Sequence, residues 1–354
     1  MKKLILYSIL IFSLISCLDK IDFDTEFPDN LIVVDGTFTN SEETDIVKLS
    51  FALDYGKQTF VPVADAQLRI YENDGDFEEL VETERGIYEF QKNKIKGVAG
   101  NAYHLEISLK DGRVYRSQPE KLKIAPVIDS FSYNVSPIEY TNDFGRIISS
   151  LNFNLSVQST INKENQTDFL RWEVEHVYAF EQPYLYYIPF STSAVCYVVE
   201  TLDPQQIELF DGRNFATEAN IKSPIATKEM DYTFGYAQSY RVSQYALSEA
   251  AYNYWANLNK VSNQVGNIFD APPAPVKGNL FRVDDESELV LGYFGVAGVE
   301  RSTLFITPGE IREFYSPISF CGSDPRDPRE ELPQPCYGCS IIQGSSFERP
   351  EYWP

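Results

Sequence analysis

Short segments in which apolar and polar residues alternate, separated by turn residues, occupy the chain between residues 31 and 124. A period of two places successive side chains on opposite faces of a β-strand, so that each segment buries one face. The pattern predicts strands at 31–39, 45–53, 66–72, 102–109 and 113–117, with another beginning at Gly86-Ile87-Tyr88. About seven short strands at this spacing are typical of a β-sandwich.

Turn residues between these segments support the same assignment. Asn73-Asp74-Gly75-Asp76 follows the strand at 66–72 and predicts a hairpin, and Asp111-Gly112 predicts another. A calcium loop that places Gly75 at its sixth position needs a carboxylate at its first, where this chain has Ile70. The hairpin is therefore the preferred interpretation.

The second half of the chain combines strands with one amphipathic helix. Strands are predicted at 151–157 and 169–178. Ser248 is a natural N-cap, Glu249 suits the positive end of the helix dipole, and an apolar stripe follows. The stripe consists of Ala251, Trp255, Leu258 and Val261. The helix is expected over about 248–262, packed on a second sheet.

Prolines at 119 and 126 predict a boundary between a β-sandwich domain, 30–126, and a β-rich second domain, 127–354. The 23 Tyr and 24 Phe also favour β-structure. Gly292, Gly295 and Gly298 recur within a strand-like run and precede no convincing helix, so bulges or close strand approach are expected instead of a phosphate loop. The predicted fold class is mainly β, with an immunoglobulin-like N-terminal sandwich and one packed α-helix.

The N-terminus has the pattern of a lipoprotein export signal. Lys2 and Lys3 precede an apolar run that is too short to span a membrane, and the run ends in Ser13-Leu14-Ile15-Ser16-Cys17. This ending resembles a lipobox, in which the cysteine is acylated, for example with palmitate, and becomes the first residue after cleavage. Residues 1–16 are thus predicted to be a signal peptide, and an ordinary signal peptide is the alternative. Several acyl chains on Cys17 would anchor the protein lastingly.

The net charge of the chain argues against two classes of binding partner. Removing Lys2 and Lys3 changes the net charge from -22 to -24, because two positive charges are lost. Such a surface repels nucleic acids and anionic lipids, which leaves Cys17 as the predicted membrane attachment. The acidic tether 17–29 carries Asp19, Asp22 and Asp24, and it predicts either surface export or a solvated linker.

The four remaining cysteines, Cys196, Cys321, Cys336 and Cys339, suit an oxidising compartment and predict two disulfides. Three pairings are open. Bridges to Cys321 or Cys196 would fix a polar C-terminal tail to the second domain. The spacing of Cys336-Tyr337-Gly338-Cys339 also fits a redox motif or half a zinc site, but no second such motif is present, and we predict no metal and no cofactor.

Aromatic residues are dense between residues 173 and 190. We considered Tyr178, Tyr184, Tyr186 and Tyr187 as a ligand or partner surface, because aromatic rings stack on sugars and dominate protein interfaces. The favoured alternative is that these rings belong to an ordinary β-sandwich core.

Several motifs together resemble a known family. They are Phe269-Asp270-Ala271-Pro272-Pro273-Ala274-Pro275, Leu291-Gly292-Tyr293-Phe294, the CxxC at 336–339, and Arg349-Pro350-Glu351-Tyr352-Trp353. The chain resembles domain-of-unknown-function family 4249, outer-membrane lipoproteins of Bacteroidota. In addition, Ala64-Asp65-Ala66, Gly86-Ile87-Tyr88 and Gly100-Asn101-Ala102-Tyr103 resemble the carboxypeptidase-regulatory, or transthyretin-like, sandwich. The family resemblance implies an accessory partner of a TonB-dependent β-barrel transporter.

Three functional hypotheses follow. The first is a non-enzymatic, surface-facing outer-membrane module that assists such a transporter or captures its ligand, a small molecule, glycan or peptide of unknown identity. The second is a cell-surface adhesin or structural envelope lipoprotein. The third is a hydrolase using paired carboxylates, which is less favoured because the sequence shows no nucleophile elbow, no HExxH helix and only two histidines.

Overall fold

A computed structural model describes residues 31–52, 61–73, 75–142, 144–162, 168–182, 194–202, 207–263, 275–315, 321 and 334–354. The predicted signal peptide, Cys17 and the tether 17–29 lie outside these residues. Within them the chain is mainly β with one long helix, as predicted. The finer assignment to an immunoglobulin-like or transthyretin-like sandwich remains a prediction.

The described residues before residue 122 form ten strands. They are β1 Ile32–Thr39, β2 Ile46–Phe51, β3 Val61–Pro62, β4 Gln67–Glu72, β5 Phe77–Glu79, β6 Val81–Glu84, β7 Ile87–Glu89, β8 Ala102–Ser108, β9 Val114–Ser117 and β10 Glu120–Lys121. The predicted strands in this region are all present, with bounds shifted by one or two residues. The hairpin between β4 and β5 is confirmed, because Glu72 N–H donates to the Asp76 carbonyl at 2.9 Å.

The second half carries longer strands and the helices. They are β11 Ile128–Thr141, β12 Ile147–Asn162, β13 Phe169–Gln182, β14 Ala194–Thr201, β15 Glu208–Asp211, β16 Glu218–Glu229, β17 Gln238–Leu247, α1 Glu249–Asn263, β18 Leu280–Arg282, β19 Leu291–Ile306, α2 Pro308–Ile311 and β20 Ser345–Ser346. Short 3₁₀ turns lie at Tyr232–Gly235, Gln334–Cys336 and Cys339–Ile341. The Ser248 hydroxyl accepts a hydrogen bond from Ala251 N–H at 3.0 Å, which confirms the predicted cap of α1.

The described strands form three sheets. The largest has eleven strands in the order β20-β14-β13-β17-β19-β1-β2-β7-β6, with β15 beside β13 and β3 beside β2. A six-stranded sheet has the order β18-β9-β8-β4-β5, with β10 beside β8, and a three-stranded sheet has the order β11-β12-β16. The largest sheet therefore contains strands from both predicted domains.

Two main cores lie against the largest sheet. The first combines residues of the six-stranded sheet with β1 and β2, and Phe38 contacts Phe90 and Tyr103 in it. It also contains four residues from the C-terminal half, Leu280, Val290, Phe294 and Val296. The second core lies under the three-stranded sheet, where Phe153 stacks on Tyr240. Both cores thus draw on strand β19 or its neighbours.

Strands β1 and β19 pair in parallel over seven residues, from Val33 opposite Leu291 to Thr39 opposite Ala297. Glycine is required at residue 292, where φ is +84° and an added Cβ would collide with the Val34 carbonyl. The Gly298 backbone likewise lies directly against Lys123. The expectation of close backbone approach at these glycines is confirmed.

Candidate functional site

The four cysteines form two disulfides that hold the C-terminal tail. Cys196 on β14 is bonded to Cys339, with Cα atoms 6.1 Å apart, and Cys321 is bonded to Cys336, with Cα atoms 5.6 Å apart. Among the pairings that the sequence left open, this is the one that occurs. Because Cys336 and Cys339 have different partners, they form neither a CxxC redox disulfide nor half of a zinc site.

The tail beyond Cys339 packs along the outer face of the largest sheet. Strand β20 pairs with the edge of β14, and the Trp353 ring meets Tyr197 and Phe305 edge-on at 5.1 and 5.3 Å. The Tyr352 ring lies under the Arg241 guanidinium at 4.7 Å, and its hydroxyl donates to Glu175. The tail is therefore fixed both covalently and by aromatic packing.

Of the four tyrosines considered as an aromatic surface, the structure describes Tyr178. Its side chain is 3% exposed, and it belongs to a small core with Phe180, Cys196 and Val198. Tyr178 is thus a core residue, as the favoured interpretation expects, and it packs with Tyr236 and the Cys196–Cys339 bridge instead of presenting a surface. Tyr184, Tyr186 and Tyr187 lie outside the described residues, and a surface formed by them remains a prediction.

A buried polar network lies next to Tyr178. The imidazole of His176 is fully buried and stacks on Tyr240 at 4.5 Å. Its Nε2 lies 3.1 Å from Gln238 Oε1, and its Nδ1 lies 3.0 Å from Glu200 Oε2. The Lys228 ammonium reaches the same Glu200 oxygen at 2.7 Å. The network thus brings together a histidine, a carboxylate and an ammonium that are far apart in sequence.

The charges of this network stabilise Glu200 as a carboxylate. Burial raises the pKa of Glu200, but the neighbouring His176 and Lys228 outweigh this and lower the pKa to about 2. Glu200 therefore stays ionised at every physiological pH. Because His176 on β13 is completely buried, we interpret the network as a structural part of the second core, although Gln238 Nε2 has no hydrogen-bond partner in it.

A buried carboxylate, that of Glu120, lies where β10, β19 and α1 meet. Glu120 is 6% exposed, and the hydroxyl of Tyr293 donates to its Oε1. Burial raises the pKa of Glu120, although hydrogen bonds from Tyr293 and the N-cap Ser248 oppose the shift. The Tyr293 ring stacks on Tyr254 of α1 at 4.6 Å. Glu120 thus links the helix to the strands of the first core.

Within the described residues, no group of three or more His, Cys, Asp or Glu side chains is arranged to hold a metal ion. The same part of the chain contains no helix with the length and apolar character needed to cross a membrane.

A long β-ribbon extends from the three-stranded sheet. Strands β11 and β12 pair from residue 128 to 159, whereas β16 pairs with β12 only from Asn152 onward. The part between residues 138 and 148, which we call the distal ribbon, is therefore two strands wide. Among the described residues, no strand pairs with the outer edge of β11.

The turn of the distal ribbon is fixed by its own hydrogen bonds. Asn142 Oδ1 accepts from the backbone N–H groups of Phe144 and Arg146 at 3.1 and 3.0 Å. Gly145 adopts a φ of +73°, a conformation that favours glycine in hairpin turns. These bonds connect the described residues of the turn, and the Tyr140 hydroxyl also donates to Glu229 of β16 at 3.3 Å.

Large apolar side chains of the distal ribbon are exposed. Phe144 is 87% exposed, Ile147 is 74% exposed and Tyr140 is 42% exposed. Phe144 and Ile147 have the two highest exposed fractions among the large apolar side chains of the described residues. Apolar residues concentrated at one exposed site mark interaction surfaces more often than single scattered ones do.

The sequence prediction missed this ribbon. It placed a strand only at 151–157 and left residues 128–141 unassigned. The available signal was the Asn142 and Gly145 turn between two segments that alternate apolar and polar residues, from 131 to 141 and from 147 to 157.

Comparison with known families identifies the chain. Residues 19–303 match the family described as domain of unknown function (DUF4249). The chain belongs to the DUF4249 family. The family resemblance noted from the sequence motifs is thereby confirmed, whereas its description as outer-membrane lipoproteins of Bacteroidota stays a prediction. No curated protein matches the chain.

The residues that match the DUF4249 family model end within β19. The match includes the distal ribbon and the buried network around His176. It ends before the disulfide-linked tail, which begins beyond residue 303. The family has no assigned activity, so functional inference must come from the surfaces and sites of this chain.

Proposed function

We propose that this DUF4249 protein is a non-enzymatic, lipid-anchored outer-membrane protein that serves as an accessory or ligand-capture partner of a TonB-dependent transporter. The observation that carries this proposal is the distal ribbon, an ordered element whose apolar residues are exposed on an otherwise strongly acidic protein. Such an element suits binding to another protein.

The anchoring part of the proposal is supported by the lipobox-like sequence that ends at Cys17. Acyl chains on this cysteine would hold the protein at the membrane, facing the cell surface. The acidic body is not attracted to anionic lipid, so the acyl chains would provide the attachment. The two disulfides agree with an oxidising environment outside the cytoplasm. The transported or captured ligand is left unspecified.

The proposal is tested by pull-down of the tagged protein from its native membrane in mild detergent, followed by mass spectrometry. We expect a TonB-dependent β-barrel at stoichiometric level, and its loss in the Cys17→Ala control, which cannot be lipidated. Radiolabelled palmitate should enter the wild-type chain and not the control. Recovery of the lipoprotein alone would refute the transporter role.

The alternative role is a cell-surface adhesin or a structural envelope protein, which the exposed ribbon would also serve. An adhesin binds host or matrix material without a barrel. Binding of the purified protein to such material, combined with a pull-down that contains no barrel, would favour this alternative.

A further inference from the structure

The two faces of the distal ribbon both carry apolar side chains. Tyr140 is paired directly opposite Ile148, so these two share one face, whereas Ile147 is opposite Thr141 on the other face. Ile147 is on the same face as Phe153, which is buried in the second core, but Ile147 itself lies beyond that core. Phe144 lies in the turn that joins the two strands, and it is 87% exposed.

We propose that the distal ribbon inserts into an apolar cleft of a partner protein, with Phe144 leading and with Tyr140 and Ile147 contacting opposite walls. A flat partner surface would cover only one face and leave the other apolar face in water. A cleft buries both faces and the turn together. This inference rests on the proposed function, which identifies the partner as the transporter barrel.

The exposed backbone edges favour a protein over a lipid bilayer as the occupant. Between residues 147 and 150, β12 has β11 on one side and no described strand on the other, and the outer edge of β11 is also open. Hydrocarbon offers no partners for unpaired N–H and C=O groups, so placing these edges in a bilayer is strongly unfavourable. The walls of a protein cleft supply donors and acceptors as well as apolar surface.

The position of the ribbon supports the same choice. Ser159 hydrogen-bonds Gln244, and Phe153 stacks on Tyr240, so β12 runs back toward residue 238 of β17 as it approaches the turn. That end of β17 pairs with Ile306, whereas β1 pairs with the opposite end of β19, near Leu291. The ribbon thus projects from the end of the sheet opposite to the start of β1, where the predicted tether joins.

Strand β19 and the fully extended tether have similar lengths. The 16 residues of β19 span about 50 Å at roughly 3.3 Å per residue. A tether from Cys17 to Leu31 reaches at most about 50 Å when fully extended. The tether is therefore long enough for the ribbon to reach a protein that lies beside the attachment point in the same membrane.

The ribbon is tested in the full-length lipidated chain in its native membrane. A photo-crosslinking amino acid replaces Phe144, and the control replaces Phe347, which is 63% exposed on the tail. We expect irradiation to give a discrete adduct with the transporter barrel from position 144 and none from position 347. An adduct with a second copy of this chain, or none from position 144, overturns the inference.

A substitution arm separates this inference from the proposed function. In the Phe144→Ser/Ile147→Ser variant, we expect recovery of the barrel to fall at least about tenfold, whereas Phe347→Ser leaves it unchanged. Both side chains are exposed, so the melting temperature should stay at the wild-type value. A barrel that is recovered undiminished overturns the ribbon inference and leaves the proposed function standing. A wild-type pull-down without a barrel refutes the proposed function.

A vesicle flotation experiment tests whether the ribbon inserts into a lipid bilayer instead of a protein cleft. The non-lipidated Cys17→Ala protein is mixed with vesicles of phosphatidylethanolamine and phosphatidylglycerol and floated on a density gradient. We expect no flotation with or without the ribbon substitutions. Flotation that is lost in the Phe144→Ser/Ile147→Ser background would assign the ribbon to the bilayer and overturn the inference.

Discussion

At the scale of single residues, Glu120 gives this protein a pH-dependent stability. The folded state raises the pKa of Glu120 through burial, so folding favours its protonated form. Stability from this group is fully present below about pH 4.5 and is lost as pH rises through the folded pKa. The wild-type protein therefore carries a penalty at neutral pH that an uncharged side chain would not.

We predict that Glu120→Gln removes this penalty. The amide keeps an oxygen that accepts from the Tyr293 hydroxyl, while no charge remains to be buried. The variant should be more stable than wild type at pH 8, and the difference should shrink toward pH 4.5, by at most about 1.4 kcal/mol per pH unit. Urea unfolding across this range measures it, with the exposed Glu42→Gln as control. Parallel curves for wild type and Glu120→Gln would contradict the prediction.

Glu200 should change the free energy of unfolding with pH in the opposite direction to Glu120, and it should do so at lower pH. Its folded pKa of about 2 lies below the ordinary value of 4.5, so its stabilising effect is present above pH 4.5 and is lost as pH falls toward 2. Because Glu200 is 35% exposed, solvent screening limits the effect to about 1 kcal/mol.

We predict that Glu200→Gln destabilises the protein at pH 7 by about that amount and flattens the acid limb between pH 4.5 and 2. Chemical denaturation at pH 7 and pH 3 measures both effects. The control is Glu218→Gln, at an exposed position at the start of β16. An acid limb as steep as that of wild type would show that the His176 network is not its source.

At the scale of elements, the two disulfides should differ in their contribution. The Cys196–Cys339 bridge joins residues 143 apart in sequence, and Cys321–Cys336 joins residues 15 apart. A cross-link restricts the unfolded chain more when its loop is longer, by about 3 kcal/mol for 15 residues and nearer 5 kcal/mol above 100. The longer bridge also holds the tail against β14.

We predict that Cys196→Ala/Cys339→Ala lowers the melting temperature more than Cys321→Ala/Cys336→Ala does. It should also loosen the tail, so that chymotrypsin cleaves after Phe347 sooner than in wild type, because only the β20 pairing and the contacts of Tyr352 and Trp353 then hold it. Thermal unfolding and timed proteolysis measure the two effects. Equal melting temperatures for both double variants would contradict the loop-length argument.

Local sequence patterns predicted the elements that are stabilised locally. The helix α1 was expected over 248–262 and occurs at Glu249–Asn263, because its Ser248 cap and apolar stripe are properties of neighbouring residues. For Tyr178 the sequence left both a surface and a core position open, for the opposite reason. An alternating strand pattern does not reveal which face a distant strand or disulfide will cover, and Cys196 and Cys339 come from separate parts of the chain.

At the scale of the whole molecule, the pairing of β1 with β19 has the largest consequence. Prolines suggested a boundary at residue 126, yet β19 returns to the N-terminal strands and pairs with β1 in parallel. Neither segment contains a local signal for this contact, because parallel pairing between distant segments depends on the fold around them. The predicted boundary at residue 126 therefore separates consecutive parts of the chain, but it does not separate the hydrophobic cores.

We predict that the fragment 30–126 does not fold alone. Without β18 and β19 the first core loses Leu280, Val290, Phe294 and Val296. Burying such side chains contributes roughly 1.5–3 kcal/mol each, and four of them amount to about 6–12 kcal/mol. A typical domain has a total stability of only about 5–15 kcal/mol.

Circular dichroism and amide NMR dispersion of the purified fragment test this directly. Joining 30–126 through a flexible linker to 275–306 restores the missing strands, and this chimera should unfold cooperatively, whereas the fragment alone should not. The Gly292→Ala chimera is the matched control, because an added Cβ collides with the Val34 carbonyl and blocks the parallel pairing. Cooperative unfolding of 30–126 by itself would mean that β19 docks onto a domain that is already complete.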